Sequence, residues 1–165
     1  ETIGFIFQFH YLLPEFTALE NVLMPFLIKN NKPTPEIKKR ANELMDLVGL
    51  SKVKNNLATR MSGGQQQRTA IARALIMSPS IILADEPTGN LDTRTSLEVM
   101  GIFQKLNQGG ITVVIVTHEP DIASYTDRNI VFRDGRIMRT LKNENPRRAI
   151  EELALLPVQT EEDEP

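Results

Sequence analysis

Two mostly apolar runs, Ile81 to Ala84 and Ile111 to Val116 with Thr112 its one polar member, constrain this chain more than any other feature in it. Both are rich in β-branched residues and neither alternates with polar ones, so they read as strands buried on both faces. Between them, Val99, Ile102, Phe103 and Leu106 recur at helical spacing over about Thr95 to Asn107, and Gly109-Gly110 ends the pattern. Strand, helix and strand over about 36 residues make a βαβ unit, so the sheet is at least partly parallel.

The flanking sequence supplies further elements. Ile3 to Phe9 reads as a buried strand that runs through Gln8 into a loop. Thr17 and Glu20 have the spacing of a capping box, predicting a helix from about Ala18 that Pro25 bends or ends. Thr34 as N-cap and Pro35 at the first position open a second helix. It carries Ile37, Ala41, Leu44 and Val48 on one face, with Gly49 at its end. A third helix follows Ser62, buries Ala70, Ile71, Ala74 and Leu75, and stops before Pro79. Asn129 to Phe132 and Arg136 to Thr140, joined through Asp134-Gly135, read as a hairpin. Asn145-Pro146 opens a short helix with Ile150, Leu153 and Leu156. Together with Arg147 and Arg148 this reads as a solvated surface helix in preference to one that covers the domain surface or contacts a partner, and Glu161 to Pro165 as a disordered acidic tail.

Composition excludes some classes of function. A net charge of -2 and a pI near 5.8 give no electrostatic reason to expect nucleic acid as a partner. The absence of cysteine removes disulfides and thiolate metal sites. No apolar run approaches the roughly 20 residues needed to span a bilayer. The chain opens at Glu1 within a strand and without a signal peptide, so it reads as part of a longer protein.

Three stretches carry chemistry. The first strand of the βαβ unit ends in Asp85 and Glu86, and open parallel sheets place ligands at the carboxyl ends of their strands. There one carboxylate can hold Mg²⁺ beside a phosphate and the next can orient and deprotonate water; the same residues also suit an acidic turn. Met61-Ser62-Gly63-Gly64-Gln65-Gln66-Gln67-Arg68 starts a helix with two glycines, whose free N–H groups and helix dipole suit a phosphate, or a plain structural turn. His118 follows the second strand, where an imidazole can meet a terminal phosphate and the attacking water, or serve structure alone.

Taken together, these stretches resemble the ATP-binding subunits of ABC transporters. Ser62-Gly63-Gly64-Gln65 resembles the signature motif, with Met61 where leucine is usual. Ile81 to Glu86 looks like the Walker B strand with its catalytic glutamate. Gly89-Asn90-Leu91-Asp92 is similar to the D-loop, His118 to the switch histidine and Gln8 to the Q-loop glutamine. All five stand in the family's order, with 23 residues from Ser62 to Asp85 and 33 from Asp85 to His118. The resemblance implies an α/β fold of the P-loop NTPase type, an ABC cassette with a mostly parallel sheet and a helical subdomain. Residues 1–140 would be a partial nucleotide-binding domain, with the helical subdomain at about 16–75, and 141–165 a C-terminal helix and tail.

The same resemblance implies the roles. Gln8 would sense Mg²⁺ and the γ-phosphate, and Asp85 would position the metal shell. Glu86 would act as general base, with His118 completing the transition-state contacts. Ser62, Gly63, Gly64 and Gln65 would contact ATP held by the opposite subunit, and Asp92 would lie at the dimer interface. The partners implied are a second nucleotide-binding subunit, forming a homodimer, and a transmembrane permease subunit. The place implied is the cytoplasmic face of the inner membrane, peripherally bound. Gly4 to Val22 and the Thr88 to Asp92 form of the D-loop are similar to the lipoprotein-release and macrolide-export group.

One part of the pattern is missing. No run of the form G-x-x-x-x-G-K-[ST] occurs in the sequence, and with it go the first strands and the Walker A loop of the family. Losing even three charge-assisted bonds to phosphate, at about 1.5–3 kcal/mol each, removes roughly four to six powers of ten in affinity. This chain by itself is therefore expected to be inactive. Two alternatives are a non-catalytic module that donates its signature or docking surface, and a soluble ABC ATPase of repair or translation. The lack of a long coiled-coil insertion between Gln8 and Ser62 and the single signature argue against the latter.

Overall fold

The apolar runs are neighbours in one sheet. A computed structural model describes residues 3–157. In it β1 (Ile3–Ile6), β2 (Ile81–Asp85) and β3 (Thr112–Val116) lie in the order β1-β2-β3, all parallel. The ladder sets Ile6 beside Ala84 and Asp85 beside Val116, so the strands finish at one edge. The first strand is shorter than its sequence suggests. Beyond Ile6 the backbone leaves the ladder, and Phe7 stacks on Phe5 at 6.1 Å while meeting Tyr11 edge-on at 5.6 Å.

Helices cover one face of this sheet. α1 (Ala18–Asn30) and α2 (Pro35–Leu47) precede α3 (Gly63–Leu75), which packs on β1 so closely that a Cβ at Gly4 would meet the Ala74 carbonyl at 3.0 Å. α4 (Thr93–Gln108) packs on β3. Ile6, Ile82 and Ala84 are buried beneath them, together with Phe103 and Met100 of α4. The opposite face is open: Phe5, Val114 and Val116 are 51%, 43% and 58% exposed. The strands are therefore buried on one face, where the sequence predicts both, because no described element covers the second.

The capping signals predict the helix starts. Thr17 and Glu20 form the reciprocal box at α1, Thr34 caps α2 with Pro35 at its first turn, and Ser62 caps α3. Pro25 does not end α1. It withholds one backbone donor, but Phe26 and Leu27 beyond it pack against the core, and that burial outweighs the missing bond.

The chain closes with a short helix α5 (Pro120–Ala123), a hairpin of β4 (Arg128–Arg133) and β5 (Arg136–Lys142), and α6 (Ala149–Leu155). Asp134 and Gly135 take φ of 51° and 73°, the left-handed pair that a two-residue hairpin turn requires. The C-terminal helix starts three residues beyond Pro146 and is not a free surface helix. It lies along α4, with Ala149 fully buried and its N–H donated to Gln104 Oε1 at 3.0 Å. The Tyr125 hydroxyl donates to Glu152 at 2.7 Å, and the Arg147 guanidinium stands 4.6 Å from the Tyr125 ring. The acidic stretch Glu161 to Pro165 lies outside the described residues.

Candidate nucleotide site

Parallel register brings the catalytic candidates together. Glu86 N–H donates to the Val116 carbonyl at 2.9 Å, one rung past β2, which sets Glu86 beside Thr117 and His118. Glu86 Oε1 accepts the His118 backbone N–H at 3.1 Å and lies 2.6 Å from His118 Nδ1. Its other oxygen accepts the Thr117 hydroxyl at 3.3 Å. The hydrogen bond to Glu86, and then its negative charge, raise the His118 pKa above the ordinary value and favour the imidazolium. The Glu86 side chain is mostly shielded, at 18% exposure, while that of His118 is 83% exposed.

Glu86 has a backbone φ of 45°, in the left-handed region that a non-glycine residue avoids. Such a conformation costs about 1–3 kcal/mol and persists only where the surroundings hold it. Asp85, one residue earlier, is exposed at the strand end. Gln8 approaches from beyond β1: a Cβ on Gly89 would come within 3.0 Å of its Nε2. Glycine at 89 thus leaves the space that the Gln8 amide needs.

A second group forms where α3 and α4 begin. Ser62 Oγ accepts from Gln65 N–H at 3.3 Å, and the Gln65 side chain accepts from Ser62 N–H at 3.2 Å, so both are engaged in capping. Asp92 caps α4, accepting the Thr95 N–H at 2.9 Å and its hydroxyl at 2.6 Å; that hydroxyl holds the Asp92 carboxyl below its ordinary range. Gly64 faces Thr95, where a Cβ would lie 2.3 Å from Cγ2, whereas a Cβ at Gly63 would have ordinary room. Gly64 is therefore demanded by helix packing.

Sequence reasoning passed over three residues around these groups. Thr117 donates to Glu86, Thr95 fixes Asp92, and Gln67 Nε2 donates to the Pro87 carbonyl at 2.7 Å. Gln67 stands inside the Met61 to Arg68 stretch and Thr117 directly precedes His118, so their place was the available signal. Among the described residues, no cluster of three His, Cys, Asp or Glu side chains forms a ready metal cage. The Asp85 carboxylate and the Gln8 amide offer hard oxygen donors, which suit a cation that keeps water and phosphate as its other ligands.

A family model described as ABC transporter matches residues 1–89, more than half of the chain. The chain belongs to the ABC transporter family. It is 53% identical over 136 residues to the lipoprotein-releasing system ATP-binding protein LolD 1 of Rhodopseudomonas palustris, covering 82% of this chain and 60% of that protein. The corresponding protein of Aquifex aeolicus is 49% identical over 136 residues, again covering 82% of this chain and 60% of the relative. Among solved structures, a dimeric ATP-binding cassette in a post-hydrolysis state bound to ADP and Pi superposes with a TM-score of 0.76 at 43% identity. That match covers 88% of this chain and 64% of that one. A dimeric bacterial ABC transporter cassette gives a TM-score of 0.76 at 44% identity with the same coverage. This ABC chain has the α/β cassette fold, and it spans about 60% of the length of the curated relatives it matches.

Proposed function

We propose that this chain is the Walker B, signature and switch portion of an ATP-hydrolysing subunit of an ABC transporter, in the lipoprotein-release and macrolide-export group. The observation that carries the reading is the Glu86–His118 pair, built on adjacent parallel strand ends next to Asp85. Glu86 is the general base: its carboxylate takes the proton of a water attacking the γ-phosphate of ATP. His118, held close by Glu86 and favoured as imidazolium, donates to the terminal phosphate. Asp85 and Gln8 would hold Mg²⁺ through a carboxylate and an amide oxygen, and the ion when bound would supply charge neutralisation at the phosphates.

Ser62, Gly63, Gly64 and Gln65 present the N-terminus of α3 to ATP on a second nucleotide-binding subunit, and Asp92 stands at that homodimer interface. Residues of about 16–75 act as the helical subdomain and 141–165 as a C-terminal appendage. The exposed aromatic stretch around Phe7, Phe9 and Tyr11 is the face offered to a transmembrane permease subunit. That contact would hold the chain peripherally at the cytoplasmic face of the inner membrane; no described helix is long and apolar enough to cross a membrane.

The decisive experiment measures Mg²⁺-dependent ATP hydrolysis by this chain and by a version extended N-terminally with the corresponding segment of the Rhodopseudomonas relative. Each is made with and without Glu86→Gln. The expected result is turnover only by the extended chain, lost at least about 100-fold on the Gln substitution. Equal turnover by the short chain, or turnover that survives Glu86→Gln, refutes the assignment.

A further inference from the structure

Glu86 occupies a backbone conformation that needs external restraint, and the restraint comes from three directions. Its N–H is tied to Val116 at 2.9 Å and its carbonyl accepts the Gly89 N–H at 3.2 Å. The third tie is to the next residue. Pro87 is buried and has no N–H, so its carbonyl is the one backbone polar group it offers, and Gln67 Nε2 donates to it at 2.7 Å. Gln67 is 1% exposed and its Oε1 has no hydrogen-bond partner among the described residues. The side chain is thus buried with one hydrogen bond from its amide, although an apolar residue of equal size would avoid the cost of burying that oxygen.

The location of that bond is informative. Gln67 lies on α3, five residues after its N-cap Ser62, and the same helix presents Gly63 and Gly64 at its start. A helix turn is stiff, so displacement of its N-terminus carries Gln67 with it. Gly64 packed on Thr95 and Arg68 paired with Glu98 join α3 to α4. Gln67 instead reaches the Glu86 loop, by its hydrogen bond to Pro87.

We propose that Gln67 is a positioning residue for Glu86, transmitting the position of the signature helix to the carboxylate of the same chain. Engagement of Ser62 and Gly63 would then bear on Glu86 through Gln67 and Pro87, a route separate from Asp92. The proposal rests on the reading of Glu86 as the base, and it is tested by a property that does not require turnover.

The readout is the His118 imidazole titration, followed by NMR in this 165-residue chain, where His10 is the one other histidine. Glu86 is the main group raising the His118 pKa, with Glu119 a lesser one. Gln67→Met, which keeps the shape, and Gln67→Glu, which loses the amide donor, are compared with Glu86→Gln and Arg68→Met. Both Gln67 variants are expected to lower the His118 pKa by at least half the drop seen in Glu86→Gln. Arg68→Met destabilises the same helix and should leave that pKa in place. In the N-terminally extended chain, the Gln67 variants should lose at least about tenfold in kcat with KM for ATP within about twofold.

An unchanged His118 pKa in both Gln67 variants overturns the inference, as does an equal drop in Arg68→Met, which would mean general loosening of α3. If Glu86→Gln itself leaves the His118 pKa unmoved, the Glu86–His118 pairing fails, and that result is separate from any failure of Gln67.

Discussion

Gly64→Ala places a methyl group 2.3 Å from Thr95 Cγ2, well inside any tolerable separation of two carbons. Thr95 cannot turn aside freely, because rotation about its Cα–Cβ bond takes its hydroxyl off Asp92, where it donates at 2.6 Å. Overpacking of this kind costs about 1–3 kcal/mol, and alanine returns at most about 1 kcal/mol of helix propensity over glycine. With the full return the net loss is about 0–2 kcal/mol, up to roughly 8 °C in Tm for a chain of this size, whereas Gly63→Ala takes the return without the collision. Thermal and urea unfolding of this chain measure it, with Gly63→Ala as comparison, since its Cβ would lie 3.9 Å from the nearest atom, Leu91 Cδ2. A double-variant cycle locates the cause: Thr95→Ser removes the colliding methyl and keeps the hydroxyl for Asp92, so Gly64→Ala should become near-neutral on that background. Equal stability of Gly64→Ala and Gly63→Ala, or no recovery with Thr95→Ser, refutes the packing argument.

Two other expectations concern the surrounding framework. Burial and the bond to Glu152 push the Tyr125 hydroxyl up to about 12. The folded pKa exceeds the ordinary value of about 10, so its stabilisation is complete below pH 10 and disappears as pH rises from about 10 to 12. Absorbance titration of phenolate should therefore show a late step near pH 12, and Tyr125→Phe should cost about 1 kcal/mol at neutral pH and remove that step. Arg68→Met leaves Glu98 without its partner in a half-buried setting, since the two side chains are 16% and 33% exposed. The expected cost is about 2 kcal/mol by urea unfolding, less than for a fully buried pair because Glu98 keeps contact with water.

The sequence was most legible where a local signal sufficed. Thr17, Thr34 and Ser62 marked three helix starts because capping depends on residues three positions apart. The order of Gln8, Ser62, Asp85, Asp92 and His118 was enough to indicate the family, and Glu86 and His118 do meet. What escaped was set by tertiary contact. Pro25 was overruled by burial of Phe26 and Leu27, and α6 was read as solvated because nothing local reveals that Gln104 awaits the Ala149 N–H. The open sheet face escaped for a related reason: Val114 and Val116 have the composition of a strand covered on both sides. Gln67 looked like one of three similar glutamines, and only its burial against Pro87 distinguishes it.

Glu86 and His118 are 32 positions apart along the chain, yet their separation depends on a single rung of the β2–β3 ladder. The helix between them is a detour whose length does not enter the distance. Over evolutionary time α4 can therefore exchange its outer surface, gain a docking helix such as α6 or lengthen its return loop while the pair keeps its geometry. A one-residue deletion inside either strand would do the opposite, turning every later side chain to the other face and separating the pair at once.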